Sequence, residues 1–116
     1  MTKNFAIKGA DIKPLATRHG SCYATDRITV DGEPVGFMYR EDRDHGGDSG
    51  WRFLAGDESE DYASDPANVG IYDVNTIANY DRDIIPLLDA PIGSAYSRDP
   101  SSGKFVPDRV PLTRAE

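Results

Sequence analysis

The sequence has a single cysteine, two histidines and no long apolar run, and each shortage excludes a class of protein. With Cys22 as its only thiol, the chain has no internal disulfide and no zinc cluster held by several thiolates. No segment approaches the ~18 consecutive apolar residues of a membrane-spanning helix, so no membrane partner is predicted. The first residues lack the apolar stretch of a signal peptide, which predicts a cytoplasmic protein.

Basic residues are also scarce, because 13 Lys and Arg stand against 20 Asp and Glu, a formal net charge of −7. Nucleic-acid-binding proteins concentrate Lys and Arg, so the sequence predicts no nucleic-acid partner and favours a partner with a basic surface. The length of 116 residues fits one domain and is too short for a TIM barrel. Six Tyr, four Phe and one Trp argue against disorder.

The dipeptide Asp31-Gly32 lies between two alternating segments, 27–30 and 33–40, and predicts a two-residue β-hairpin. Both central residues of such a turn need positive φ, which Asp-Gly tolerates. The resulting register places Ala24 opposite Tyr39. The residues expected on the core-facing side are Ala24, Ile28, Val35, Phe37 and Tyr39.

Other segments predict further short strands and two short helices. The strands are expected at 5–8, 51–56, 69–72, 91–98 and 104–106. The helices are expected at 76–80 and 84–88, because Pro86 is tolerated only in the first turn of a helix. The expected capping residues are Asp73 or Asn75 for the first helix and Asp81 or Asp83 for the second. The side chains spaced to face the core are Ile77, Tyr80, Ile84 and Leu88.

This order of elements predicts an α+β fold with a small antiparallel sheet and short helices packed on one face. The expected organisation is an N-terminal arm at 1–19, a single domain at 20–106 and a C-terminal tail at 107–116.

Catalytic signals are weak, and the sequence predicts no enzyme and no cofactor. It contains no Gly-x-Ser-x-Gly elbow and no phosphate-binding glycine loop. Cys22 lies in a predicted strand with no base beside it, which favours an inert buried thiol. Asp44, His45 and Asp48 share a glycine-rich loop and are metal-ligand types, but they lack the spacing of a zinc motif, so no metal site is predicted.

Two features favour protein recognition. Trp51 and Phe53 are expected to point into the core from one strand, which leaves Arg52 either paired with a carboxylate or in contact with a partner. Residues 57–61 carry four acids in five positions and are followed by Tyr62. Such a run is either a solvated loop or the rim of an interface.

Several uncommon strings of the sequence occur in the same order in one protein family. They lie at 20–41, 49–58, 68–81, 84–88 and 91–96. The most distinctive one, Trp-x-Phe-x-x-Gly-Asp-Glu, begins at Trp51 and ends at Glu58. Together the strings resemble the DUF2185 family, also classed as the Imm33 family of immunity proteins from bacterial polymorphic toxin systems. The resemblance covers residues 20–106.

The resemblance implies an α+β domain that protects a cell by binding a toxin encoded beside it, and it brings no catalytic residues. On this basis we predict a non-enzymatic binding protein whose partner is a cognate protein toxin. The residues expected to contact it are Arg52, Asp57, Glu58, Glu60, Asp61 and Tyr62. Two alternatives stay open. One is a small-molecule or metal-binding domain around the loop of His45, with or without hydrolytic activity. The other is a domain that forms a homodimer through its sheet edges.

Overall fold

The central element of the fold is a six-stranded sheet, which we describe from a computed structural model that defines residues 3–111. The strands are β1 (Ser21–Thr25), β2 (Phe37–Arg40), β3 (Asp48–Leu54), β4 (Val69–Asp73), β5 (Ala95–Arg98) and β6 (Phe105–Pro107). Their spatial order is β4-β1-β3-β2-β5-β6, and all neighbours are antiparallel except β1 and β3, which run parallel. The predicted small α+β fold is confirmed.

Short helices connect these strands. Within residues 3–111 the α-helices are α1 (Asp26–Thr29), α2 (Glu60–Ser64) and α3 (Val74–Tyr80), and 3₁₀ helices lie at Gly9–Asp11, Pro66–Asn68 and Arg82–Leu87. The predicted caps are present, because the Asp73 carboxylate accepts a hydrogen bond from the Asn75 N–H at 2.8 Å, and that of Asp81 accepts one from the Asp83 N–H at 3.0 Å. These caps separate two short helices, as predicted.

One face of the sheet carries the hydrophobic core. Alternate residues of the three central strands point into it, and they are Cys22, Ala24, Met38, Trp51 and Phe53. The two helices α1 and α3 and the 3₁₀ helix at 82–87 cover this face with Ile28, Ile77 and Ile84, each fully buried. The prediction that Trp51 and Phe53 lie in the core is confirmed, and these three helices pack on one face as expected, whereas α2 borders the other face.

The predicted hairpin at Asp31-Gly32 is wrong. Residues 26–29 form α1, and Gly32, with φ of +80°, terminates this helix. The Gly32 N–H donates to the Ile28 carbonyl at 3.0 Å, and the Glu33 N–H donates to the Arg27 carbonyl at 3.0 Å. The Gly32 bond spans four residues, as in the αL motif, in which a glycine in the left-handed region closes a helix. Gly32 therefore does adopt positive φ, but at the end of a helix and not in a hairpin turn.

The strand register that followed from the hairpin is wrong as well. Strand β3 lies between β1 and β2, so Ala24 is opposite Phe53 and Tyr39 is opposite Arg52. In β2 the residue that points into the core is Met38. Phe37 and Tyr39 consequently lie on the other face of the sheet.

The N-terminal arm packs against α3, and the predicted strand at 5–8 is absent from the described part of the arm. The Asn75 side-chain oxygen accepts hydrogen bonds from the N–H groups of Leu15 at 2.7 Å and Ala16 at 2.8 Å. Ala16 is buried in the core cluster. The Asn75 side chain thus holds Leu15 and Ala16 of the arm, and the Asn79 side chain holds Lys13.

The last strand among the described residues is the edge strand β6, which contains Pro107, the first residue of the predicted tail. Positions 112–116 of that tail, and positions 1 and 2 of the predicted arm, lie outside the described residues.

Candidate functional site: the open face of the sheet

The face of the sheet opposite the core, called here the open face, is rich in aromatic and aliphatic side chains. Strand alternation and register place on it Tyr23, Thr25, Phe37, Tyr39, Arg52, Leu54, Val69 and Ile71. Ile71 is 63% exposed, and the aromatic rings are half-buried. An apolar sheet face that borders solvent is a typical recognition surface.

Arg52 lies at the centre of the open face. The register aligns one row of residues across β4, β1, β3 and β2, namely Ile71, Tyr23, Arg52 and Tyr39. The Arg52 guanidinium carbon is 4.1 Å from the centroid of the Tyr23 ring, so the cation covers the face of that ring.

Two carboxylates neutralise Arg52. Asp48 accepts from both terminal guanidinium nitrogens at 2.8 and 2.9 Å, and Glu41 accepts from the Nε–H at 2.6 Å. The Asp48 and Arg52 side chains are 2% and 4% exposed. Burial disfavours the charged guanidinium, but hydrogen bonds to Asp48 and Glu41 nevertheless raise the pKa of Arg52. Hydrogen bonds from Arg52 hold the pKa of Asp48 well below its usual range, against the effect of burial.

A bend at the start of β3 allows Asp48 to reach Arg52. Gly50 has φ of +89°, and a Cβ built at this position would lie 2.3 Å from the Glu41 carbonyl oxygen. Only glycine fits this backbone, which interrupts the extended course of β3. The Asp48 carboxylate also accepts from the N–H groups of Asp44 and Gly50, each at 2.9 Å. The glycine-rich loop therefore folds around this carboxylate.

The three potential metal ligands in this loop have other partners. Asp48 holds Arg52, Asp44 accepts from the Tyr23 hydroxyl at 2.5 Å, and His45 Nδ1 accepts from the Gly47 N–H at 3.1 Å. Among residues 3–111, no group of three or more His, Cys, Asp or Glu side chains is arranged to hold a metal ion. Burial raises the pKa of the Cys22 thiol, which fits the inert cysteine expected from the sequence.

The acidic stretch 57–61 divides into two halves. Asp57 pairs with Arg27 of α1 at 2.6 Å, and this guanidinium lowers the pKa of Asp57. Glu58 accepts from the Thr25 hydroxyl and from the N–H groups of Ala55 and Gly56. These two carboxylates fasten the stretch to the end of the sheet.

The other half of the stretch faces solvent. Glu60 and Asp61 are exposed in the first turn of α2, where negative charge is favoured, and the Ser59 hydroxyl accepts from the Tyr62 N–H at 3.1 Å as the cap. Tyr62 is half-buried. Burial, followed by the nearby carboxylates of Asp26 and Asp31, raises the pKa of Tyr62.

A small cavity of about 180 Å³, called here the tyrosine pocket, lies on the open face beside α2. Its lining side chains on this face are Tyr23, Thr25, Tyr39, Glu41, Arg52, Leu54, Ala63 and Val69. Arg52 forms part of its wall, Thr25 joins it to Glu58, and Ala63 joins it to Tyr62. Arg52 thus lines the pocket, whereas residues 57–62 do not line it and are connected to it only through neighbours such as Thr25 and Ala63.

Tyr23, Tyr39 and Glu41 also belong to this site, although they are not among the site residues expected from the sequence. The signal was present in the alternation of β1 and β2, which places both tyrosines on the side opposite the core. Alternation alone does not show that the two tyrosines share a site with Arg52. The strand order is also needed, because β3 lies between these two strands.

The comparison with protein families decides what kind of protein carries this site. The profile of the immunity protein Imm33 domain matches residues 22–108, about three quarters of the chain. The chain belongs to the Imm33 family. No curated protein and no solved structure matches it. The resemblance seen in the sequence is therefore confirmed.

The Imm33 match extends from β1 to the end of β6 and includes every residue of the open face. It therefore covers the tyrosine pocket and the whole acidic stretch. Among the described residues of this Imm33 domain, no helix has the length and apolar character needed to cross a membrane.

Proposed function

We propose that this protein is a non-enzymatic immunity protein that neutralises a cognate protein toxin by binding it directly. Membership of the Imm33 family carries the proposal. The open face supports it, since its half-buried tyrosines are of a residue type enriched in interface hot spots.

We propose that the six residues named from the sequence act at the edge and base of this interface. Glu60 and Asp61 supply exposed rim charge, and Asp57 and Glu58 fix the segment that carries them. Tyr62 offers a half-buried ring at the same edge. Arg52 is buried beneath the interface and acts indirectly, because its guanidinium orients the ring of Tyr23.

The net charge of −7 fits a partner with a basic surface. Acidic rim residues steer such a partner to the interface and raise the rate of association, whereas the buried contacts set most of the affinity. This division predicts strong salt dependence of the association rate.

Protection of cells tests the proposal. The chain is co-expressed with the toxin candidate encoded by the adjacent reading frame, and growth is compared with that of cells carrying the toxin alone. The tagged chain is then recovered at low and at high salt. We expect restored growth and a complex recovered best at low salt. Growth inhibition that persists with the chain expressed and folded would contradict the proposal.

A further inference from the structure

We propose that the tyrosine pocket receives a cationic side chain, arginine or lysine, from the basic surface of the partner. This inference rests on the proposed function and names the chemistry of its central contact. It goes beyond the acidic stretch, because it concerns a pocket in the open face and three side chains, Tyr23, Tyr39 and Glu41, that line it.

The size and lining of the pocket suit one side chain. Its volume of about 180 Å³ is smaller than the ~300–1,000 Å³ of sites for drug-sized ligands. Leu54, Ala63 and Val69 offer apolar contact to the methylene stem of a long side chain. Two tyrosine rings flank the same space, and aromatic rings attract a cation that has left water.

The charge around the pocket favours a cation over a neutral or acidic group. Arg52 contributes one positive charge, and it is already hydrogen-bonded to Asp48 and Glu41. Asp44 adds a third carboxylate, 3.8 Å from the same guanidinium. Three carboxylates around one guanidinium leave an excess of negative charge, which a second cation would balance.

Two of these carboxylates are accessible to a side chain of the partner. The side chains of Glu41 and Asp44 are 35% and 54% exposed, whereas that of Asp48 is 2% exposed. Glu41 also lines the pocket itself. A guanidinium or ammonium that enters the pocket would therefore be within reach of the Glu41 carboxylate.

A second copy of this chain is a poorer occupant. Two copies would bring together net charges of −7 and −7, and like charges facing one another oppose association. The excess of acid at the pocket and over the whole chain points to a basic protein as the partner.

The pocket can be tested without the toxin. Nα-acetyl-arginine methylamide is titrated into the ¹⁵N-labelled chain, and the backbone amide shifts are followed by NMR. The neutral citrulline analogue serves as the matched probe. We expect saturable shifts at Tyr23, Tyr39 and Leu54 with a dissociation constant of about 1–20 mM, the range for a ligand this small, and no saturation with citrulline.

Two variants sharpen the test. Glu41→Gln keeps a hydrogen-bond acceptor for Arg52 but removes the charge, and it should weaken arginine binding at least fivefold in a chain whose spectrum remains folded. Asp11→Asn removes an equal charge at an exposed position outside the pocket and should change the affinity less than twofold. Equal binding of arginine and citrulline, or equal effects of the two variants, would overturn the proposal.

A second copy in the pocket is also detectable. Shifts at the same residues that grow with protein concentration and without any probe would show self-association and overturn the proposal. In complex with the toxin, Glu41→Gln should reduce the affinity at least tenfold. A toxin that binds both forms equally would remove the pocket from the interface while leaving direct neutralisation intact.

Discussion

Arg52 is a buried charge in the middle of a sheet, and its position depends on the carboxylates around it. Asp48 holds it in bidentate geometry from four residues earlier in the same strand. A buried ion pair adds little net stability over apolar residues of similar volume, but the loss of one partner leaves the other charge unpaired in the interior. The pair therefore fixes one arrangement of Tyr23 and the open face.

The first prediction concerns the loss of Asp48. Asp48→Asn should lower the free energy of unfolding by about 3–5 kcal/mol, because Arg52 keeps its charge while its buried counter-ion disappears. Urea unfolding monitored by Trp51 fluorescence measures the change. Asp44→Asn is the matched control, since Asp44 is 54% exposed and should cost under about 1 kcal/mol. Similar losses in both variants would contradict the assignment of Asp48 as the main counter-ion.

The second prediction concerns the stability of the fold at low pH. Arg52 lowers the pKa of Asp48 in the folded chain, so the unfolded chain takes up this proton first as the pH falls. The stabilisation is complete above the unfolded value of about 3.9 and is lost as the pH falls from there toward the folded pKa. Urea unfolding between pH 3 and pH 6 should show a steeper loss below about pH 4 for the native chain than for Asp48→Asn. Parallel curves would contradict the account.

At the scale of elements, local signals were sufficient wherever structure depends on near neighbours. The carboxylates of Asp73 and Asp81 cap short helices as predicted. The Asp31-Gly32 signal was ambiguous, because a type I′ hairpin and a helix C-terminus both require positive φ. Only packing decided between them, since the fully buried Ile28 lies in α1.

The site itself was less predictable than its parts. Arg52 and the acidic stretch could be selected from the sequence, but Tyr23, Tyr39 and Glu41 come from other elements. Their meeting depends on the parallel pairing of β1 with β3, which joins segments about 30 residues apart. No local pattern specifies such a pairing, because it is fixed by the packing of the whole core.

The third prediction tests the docking of the N-terminal arm. Asn75→Ala removes the acceptor shared by the N–H groups of Leu15 and Ala16 and should lower the free energy of unfolding by about 1–3 kcal/mol. Amide hydrogen exchange at these two residues should accelerate selectively. Asn79→Ala is the comparison, because the Asn79 side chain bonds the arm only at Lys13 and otherwise donates to the Asn75 carbonyl. It should therefore change the exchange of Leu15 and Ala16 less than Asn75→Ala does. Unchanged exchange at Leu15 and Ala16 in Asn75→Ala would show that the arm is held by other contacts.

At the scale of the whole molecule, the charge of −7 has a specific distribution. Asp57 is paired with Arg27, so this member of the stretch is compensated internally. Glu60 and Asp61 remain exposed at the start of α2, beside the pocket bordered by Ala63. The interface proposed here thus has exposed acids around a half-buried aromatic centre, the usual anatomy of a specific protein interface.

The fourth prediction tests whether the position of the acidic residues at α2, and not only the net charge of the chain, controls association. A double variant, Glu60→Gln with Asp61→Asn, should slow association with the toxin about 3–10-fold at low salt and reduce its salt dependence, with little change in dissociation. Surface plasmon resonance measures both rates. Asp11→Asn with Asp89→Asn changes the net charge equally at exposed positions away from α2 and should have a smaller effect. Equal slowing in both double variants would assign the effect to overall charge.

Direct neutralisation is the central claim, and calorimetric titration of the purified toxin with this chain tests it most directly, with residual toxin activity assayed at each ratio. The account predicts a stoichiometric complex and a loss of activity proportional to the fraction of toxin bound. Inactivation by a small fraction of an equivalent would show turnover, and a toxin that stays active in its complex would show binding without neutralisation. Either result would contradict the claim.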